Sequence, residues 1–92
     1  MRYTWDPEKD ALNRRKHGLS LADGIASLED PERDSWIDDR YDYGEERIVT
    51  LGLGQRDILI VVSTEQQEDL IRIISVRKAE GDEIERYSLG RT

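Results

Sequence analysis

The chain contains no cysteine. A disulfide framework, a thiolate zinc site and a cysteine nucleophile are therefore excluded. Its single histidine, His17, cannot build a multi-imidazole metal centre. The longest apolar run is Ile58-Leu59-Ile60-Val61-Val62, far short of the roughly 18 residues that a membrane-spanning helix needs. Met1-Arg2-Tyr3-Thr4-Trp5-Asp6 lacks the apolar core of a secretory signal, so a cytoplasmic protein with no membrane partner is expected. Basic residues are the minority: 14 Lys and Arg stand against 21 Asp and Glu, a net charge of -7. That excess of acid argues against a whole surface built to grip nucleic acid, because phosphate affinity comes from clustered cations. A length of 92 residues leaves room for one core, so a single domain over residues 1–92 is expected.

What is present reads in order as β-α-α-β-β-β-β-α. Tyr3-Thr4-Trp5 is short, aromatic and β-branched, as a small strand would be. Asp6 then Pro7 marks an N-cap followed by proline at the first helical position. The helix should run to His17, with Gly18 just beyond its C-terminus. Its core face is thin, chiefly Ala11 and Leu12. Ser20 and Asp23 form a capping-box-like start, and Leu21, Ile25 and Leu28 then recur as the buried stripe of a second helix. Strands follow at Ser35–Ile37, Arg47–Leu53, Ile58–Val62 and Leu70–Arg77, with turns near Asp42-Tyr43-Gly44, at Gly54–Asp57 and over Gln66–Asp69. In the last strand Ile71 and Ile73 should share one face, with Ile74 and Val76 near the other. A short helix from Glu80 to Tyr87 closes the chain. The fold class is α+β: a small antiparallel sheet of about four strands, two N-terminal helices on one face and a short C-terminal helix.

Three groups of side chains carry chemistry. Arg14, Arg15, Lys16 and His17 crowd the end of the first helix. An imidazole exchanges protons near neutral pH, and neighbouring cations offset the charge of a phosphodiester. The helix dipole alone also favours cations there. Arg77 and Lys78 end an apolar strand where a helix begins, a place suited to an anion and equally to a solvated strand end. Arg72 inside that strand needs a solvated face or a partner. Thr64 and Glu65 end the strand before it, where a hydroxyl and a carboxylate serve a ribose or acid–base chemistry but where polar residues are common anyway. Tyr87 suits either a core edge or a stacked base. Two patterns fail: Gly52-Leu53-Gly54 lacks the third glycine of a dinucleotide loop, and Asp34–Glu46 lacks calcium-loop spacing. No metal and no cofactor are expected.

These residues also form a longer pattern. Trp5-Asp6-Pro7, Lys9, Asn13, Lys16-His17-Gly18 and Ser20 resemble the opening of the BrnT toxin family. So do Asp30-Pro31, Gly44-Glu45-Glu46-Arg47, Leu51-Gly52 and Arg72-Ile73-Ile74-Ser75-x-Arg77-Lys78-Ala79. The resemblance implies a RelE-like fold and the toxin half of a bacterial type II toxin–antitoxin pair, with metal-independent RNA cleavage that stops translation. It implies a BrnA-type ribbon-helix-helix antitoxin as partner, with operator DNA reached only through it. On that basis Lys16, His17, Glu65, Arg77 and Lys78 are expected to be catalytic, and Arg15, Thr64, Arg72 and Tyr87 to bind RNA. Departures stand at Gln66-Gln67, where the family commonly carries Arg, and at the acids from Glu80 to Glu85, where it commonly has a Thr cap and a basic run. They support an alternative, a weakly active or inactive toxin fold serving as co-repressor scaffold in the antitoxin–operator complex.

The charge is not evenly spread. Asp23 to Glu46 holds ten acids and two bases, and the remainder is net +1. The local field at a site matters more than the sum, so the acidic stretch reads as a far or partner-facing surface. The acids from Glu80 to Glu85 fall beside Arg77 and Lys78 and should repel a polyanion.

Overall fold

The computed structural model describes residues 1–40 and 44–90. The elements are β1 (Arg2–Thr4), α1 (Pro7–His17), a 3₁₀ turn (Leu21–Gly24) running into α2 (Ile25–Leu28), β2 (Asp34–Ile37), β3 (Ile48–Leu53), β4 (Ile58–Gln67), β5 (Leu70–Lys78) and α3 (Gly81–Leu89). The strands form a five-stranded sheet in the order β1-β5-β4-β3-β2. Neighbours from β2 to β5 are antiparallel, as consecutive strands with short turns should be. β1 corrects the expectation of an antiparallel sheet of about four strands, because it adds a fifth. It lies parallel to β5, with Arg2 opposite Leu70 and Thr4 opposite Arg72, so the sheet is mixed. Trp5 falls outside that strand. The expected turn at Asp42-Tyr43 lies outside the described residues.

Local signals set α1. The Asp6 side chain accepts from the Glu8 N–H, Pro7 opens the helix, and Gly18 closes it at φ 72°, a conformation that glycine takes without strain. Its attachment differs from the expected apolar face. Ala11 and Leu12 are exposed, and the one buried residue of α1 is Asn13. The Asn13 amide donates to the carbonyls of Leu19 and Val76, at 2.8 and 2.9 Å, and its oxygen accepts from the Val76 N–H at 3.0 Å. β1 pairs β5 only as far as Arg72, so Asn13 stands in for a neighbouring strand at Val76.

The second helix is one 3₁₀ turn and one α turn, begun by the Ser20–Asp23 capping box. Leu21, Leu59, Val61, Ile73 and Val76 form the core under this side, with Tyr3, Trp5, Leu19, Ile25 and Leu28 packed around them. Ile73 and Val76 thus share a face, contrary to strict alternation. Val62 pairs with Ser75 but Ser63 pairs with Ile73, so Ile74 is an extra residue on β5, a bulge. On the other side Val49, Leu51, Ile60 and Tyr87 form a second core under α3. Asp30 ties α2 to both: it accepts from the Glu32 and Leu53 N–H groups and from the Tyr87 hydroxyl.

Gly52 sets how closely α2 approaches the sheet. A Cβ there would lie 2.4 Å from the Ser27 carbonyl oxygen, backbone that has little room to retreat. Gly52→Ala is expected to cost about 2 kcal/mol and to lower the melting temperature by roughly 10 °C, readable by thermal circular dichroism.

Candidate functional site

The sheet face away from α1 has room on it. Strand alternation and register place Trp36, Val49, Ile60, Val62, Ser75 and Arg77 there together. Tyr87 of α3 covers part of this face. The rest is an open pocket of about 390 Å³ whose lining includes Trp36, Asp38, Arg40, Val62, Ser75, Arg77 and Glu83.

Arg77 is the half-buried cation of that pocket. Its Nη1 and Nη2 donate to Glu83 Oε1 and Oε2, both at 2.8 Å, and Nη1 also donates to the Lys78 carbonyl at 3.2 Å. The hydrogen-bonded carboxylate raises the Arg77 pKa above its ordinary value, with burial and Arg40 opposing. The Arg77 fork in turn holds the Glu83 carboxyl below the usual carboxylate range. Arg40 is itself forked onto Asp38 at 2.9 and 3.1 Å. Glu83 is the third residue of α3 and reaches back to accept the Glu80 N–H at 2.8 Å. An acid at that position suits a helix N-terminus. Trp36 carries the Arg86 guanidinium 4.2 Å above its ring centroid, and Arg86 donates to Asp34 at 2.8 Å.

Arg72 projects from the same face further along β5. Its Nη2 donates to both Glu45 oxygens, at 2.9 and 3.2 Å. Arg47 Nε lies 3.6 Å from Glu45 Oε1. Thr64 is buried, and its hydroxyl donates to the Glu46 carbonyl at 2.7 Å, so it anchors the chain leading into β3.

The remaining sequence-predicted residues lie elsewhere. Lys78 alternates to the opposite face from Arg77, where its ammonium lies 3.7 Å from Asp57. Glu65 is exposed and pairs with Ile71 on the α1 side of the sheet. Arg15 and Lys16 are exposed and His17 half-buried at the end of α1. Neither the Lys16 nor the His17 side chain makes a hydrogen bond or ion pair among the described residues. Tyr87 is 3% exposed and its hydroxyl donates to Asp30. It is a core residue, and its ring offers a base no face to stack on. The structure therefore brings Arg72 and Arg77 to one face, with Thr64 buried opposite Arg72 and Tyr87 packed into the core of that face, and it places Arg15, Lys16, His17, Glu65 and Lys78 elsewhere by helix position or strand alternation.

Three residues enter that sequence reading did not single out: Trp36, Arg40 and Glu83. The first two come from the acidic stretch expected to face away or toward a partner, so part of that stretch lines the pocket instead. Their signal was the alternation of Asp34, Trp36 and Asp38, which assigns a face only once β2 is paired. Among the described residues no group of three or more His, Asp or Glu is placed to hold a metal ion, and no helix is long and apolar enough to cross a membrane.

A small α+β fold with an arginine at an open sheet face defines the class. Residues 5–83 match the family described as ribonuclease toxin, BrnT, of type II toxin-antitoxin system, and the chain belongs to that family. The fold is similar to the 1.1 Å crystal structure of the Brucella abortus ribonuclease toxin BrnT. The TM-score is 0.64 and the identity 24%, over 87% of this chain and 97% of that one. No curated protein matches the sequence.

Proposed function

We propose that the chain is a RelE-like endoribonuclease of the cytoplasm that cleaves RNA without a metal. In this reading a BrnA-type ribbon-helix-helix antitoxin holds it silent, and it meets operator DNA only through that partner. The observation that carries the proposal is Arg77 at the open pocket, beside the apolar surface of Trp36 and Val62. A guanidinium matches two phosphate oxygens, and a flat apolar floor receives an unstacked nucleotide. Membership of a ribonuclease toxin family supplies the reaction class.

Cleavage without a metal has the ribose 2′-oxygen attack the adjacent phosphorus while the P–O5′ bond breaks. The 2′-OH loses a proton, the 5′-oxygen gains one, and the products are a 2′,3′-cyclic phosphate and a 5′-OH. Arg77 offsets the charge gathered on the phosphate, and Arg72 takes a neighbouring phosphate. Proton transfer is assigned to Lys16 or His17, at the end of the helix that Asn13 fixes to the edge of β5 at Val76, the residue beside Arg77 in the chain. Glu65 and Lys78 face the other side and have no part at that phosphate.

The test is induced expression in bacteria, with RNA cleavage by the purified chain assayed in excess EDTA. Growth arrest, and cleavage that survives chelation, are the expected results. A chain that neither arrests growth nor cuts RNA would overturn the proposal in favour of the co-repressor scaffold. One observation favours that second reading: Arg77 and Arg72 both already hold a carboxylate.

A further inference from the structure

We infer that Glu83 is a built-in substitute for phosphate: its carboxylate fills the fork of Arg77 that RNA must occupy, so the chain restrains its own affinity for RNA. The inference rests on the proposed RNA-binding role of Arg77 and deepens it.

The geometry is that of the competing ligand. Two carboxylate oxygens meet the two terminal nitrogens of Arg77 at equal distances of 2.8 Å, the bidentate arrangement that guanidinium also makes with two phosphate oxygens. An arriving phosphate must displace Glu83 or sit beside it against like charge. Glu83 does not swing away without loss, because the same Oε1 accepts the Glu80 N–H at 2.8 Å. Displacement therefore uncaps the first turn of α3. The other cation of the pocket offers no easy replacement, since Arg40 is forked onto Asp38. Asp38, Asp39 and Glu83 against Arg40 and Arg77 leave the lining with an excess of acid. The carboxylate nearest to Arg77 thus opposes RNA by occupation of its fork and not only by its general field.

Glu83→Gln separates these effects. The amide keeps the shape and an oxygen for the Glu80 N–H, and loses the charge. Glu83→Asp keeps the charge and the acidic helix start but is too short to fork Arg77. Glu80→Gln removes a charge that reaches Arg77 through its field alone. Binding is measured by fluorescence anisotropy with a labelled single-stranded RNA carrying 2′-O-methyl groups, which cannot be cleaved. Full-length wild type and the three variants are compared with Arg77→Ala.

Glu83→Gln is expected to bind about 2- to 5-fold more tightly, from the usual worth of a part-exposed ion pair. Its salt dependence should steepen by about 0.7 in log–log slope, one more phosphate neutralised on a single strand. Glu83→Asp should move the same way by less, and Glu80→Gln by under about 2-fold. Arg77→Ala should weaken binding in the same assay. If Arg77→Ala weakens binding but Glu83→Gln leaves it unchanged or weaker, the substitute role is overturned and Glu83 only positions Arg77. If Arg77→Ala binds like wild type, the RNA-binding role of Arg77 fails, and this inference with it.

Discussion

Arg77→Ala is expected to abolish growth arrest on induced expression and to slow RNA cleavage by at least about 100-fold. The figure is the usual cost of removing one donor aimed at charge that grows in a transition state, about 2.7–4 kcal/mol. Arg77 is the half-buried guanidinium at the open pocket, and its partner Glu83 carries no positive charge to replace it. Arg77→Lys keeps the charge and loses the fork, so an intermediate loss, about 10-fold, is expected. Neither change should unfold the chain. The Arg77–Glu83 pair is part-exposed and contributes about 0.2–1 kcal/mol after solvent screening. Circular dichroism therefore separates lost activity from lost structure. A folded Arg77→Ala chain that still arrests growth would remove Arg77 from the mechanism. His17→Ala belongs in the same experiment, since full arrest in that variant would leave proton transfer to Lys16.

The second large effect is on stability. Asn13→Ala should lower it by about 3 kcal/mol and the melting temperature by roughly 15 °C. The substitution leaves the N–H and the carbonyl of Val76, a fully buried residue, without their partner, and Leu19 loses a hydrogen bond as well. Each stranded buried group costs about 1–3 kcal/mol, and α1 has no buried apolar side chain to hold it in place. Asn13→Asp should cost as much, since a carboxylate still accepts from the Val76 N–H but faces two carbonyl oxygens it cannot donate to. A urea midpoint unchanged in either variant would mean that α1 is held by something other than this amide. At 92 residues a loss of this size is a large share of the total stability.

Features written in a few adjacent residues were legible in the sequence. Asp6, Pro7 and Gly18 bound α1 because caps act within one turn, and Ser20 with Asp23 starts the next element for the same reason. Features that depend on which strand lies beside which were not. The parallel pairing of β1 with β5 joins residues nearly seventy positions apart. Arg77 and Lys78 read as one cluster because they are neighbours in the chain, and a strand sends neighbours to opposite faces. Asn13 stood beside a basic run and was read with it, although its work is to complete a strand edge. The acids of the last helix were visible as a repulsive group. That one of them, Glu83, closes on Arg77 became evident only with α3 folded back against the sheet. The Brucella structure shares the fold at 24% identity, so architecture persists where individual side chains have changed.

The unpaired Ile74 has one more consequence. Arg72 and Arg77 are five positions apart, an odd interval, and in an unbroken strand odd intervals separate side chains to opposite faces. One inserted residue converts the odd count to an even one, and both guanidinium groups emerge on the same surface. Drawing Ile74 into the ladder would undo this: every side chain from Leu70 to Ile73 would change sides, and Arg72 would enter the hydrophobic layer that Ile73 now fills, whereas deleting Ile74 would leave an even interval of four and both cations where they are. The spacing of the two cations along the pocket face is thus an arithmetical property of the backbone, independent of the chemistry of the residue that supplies it.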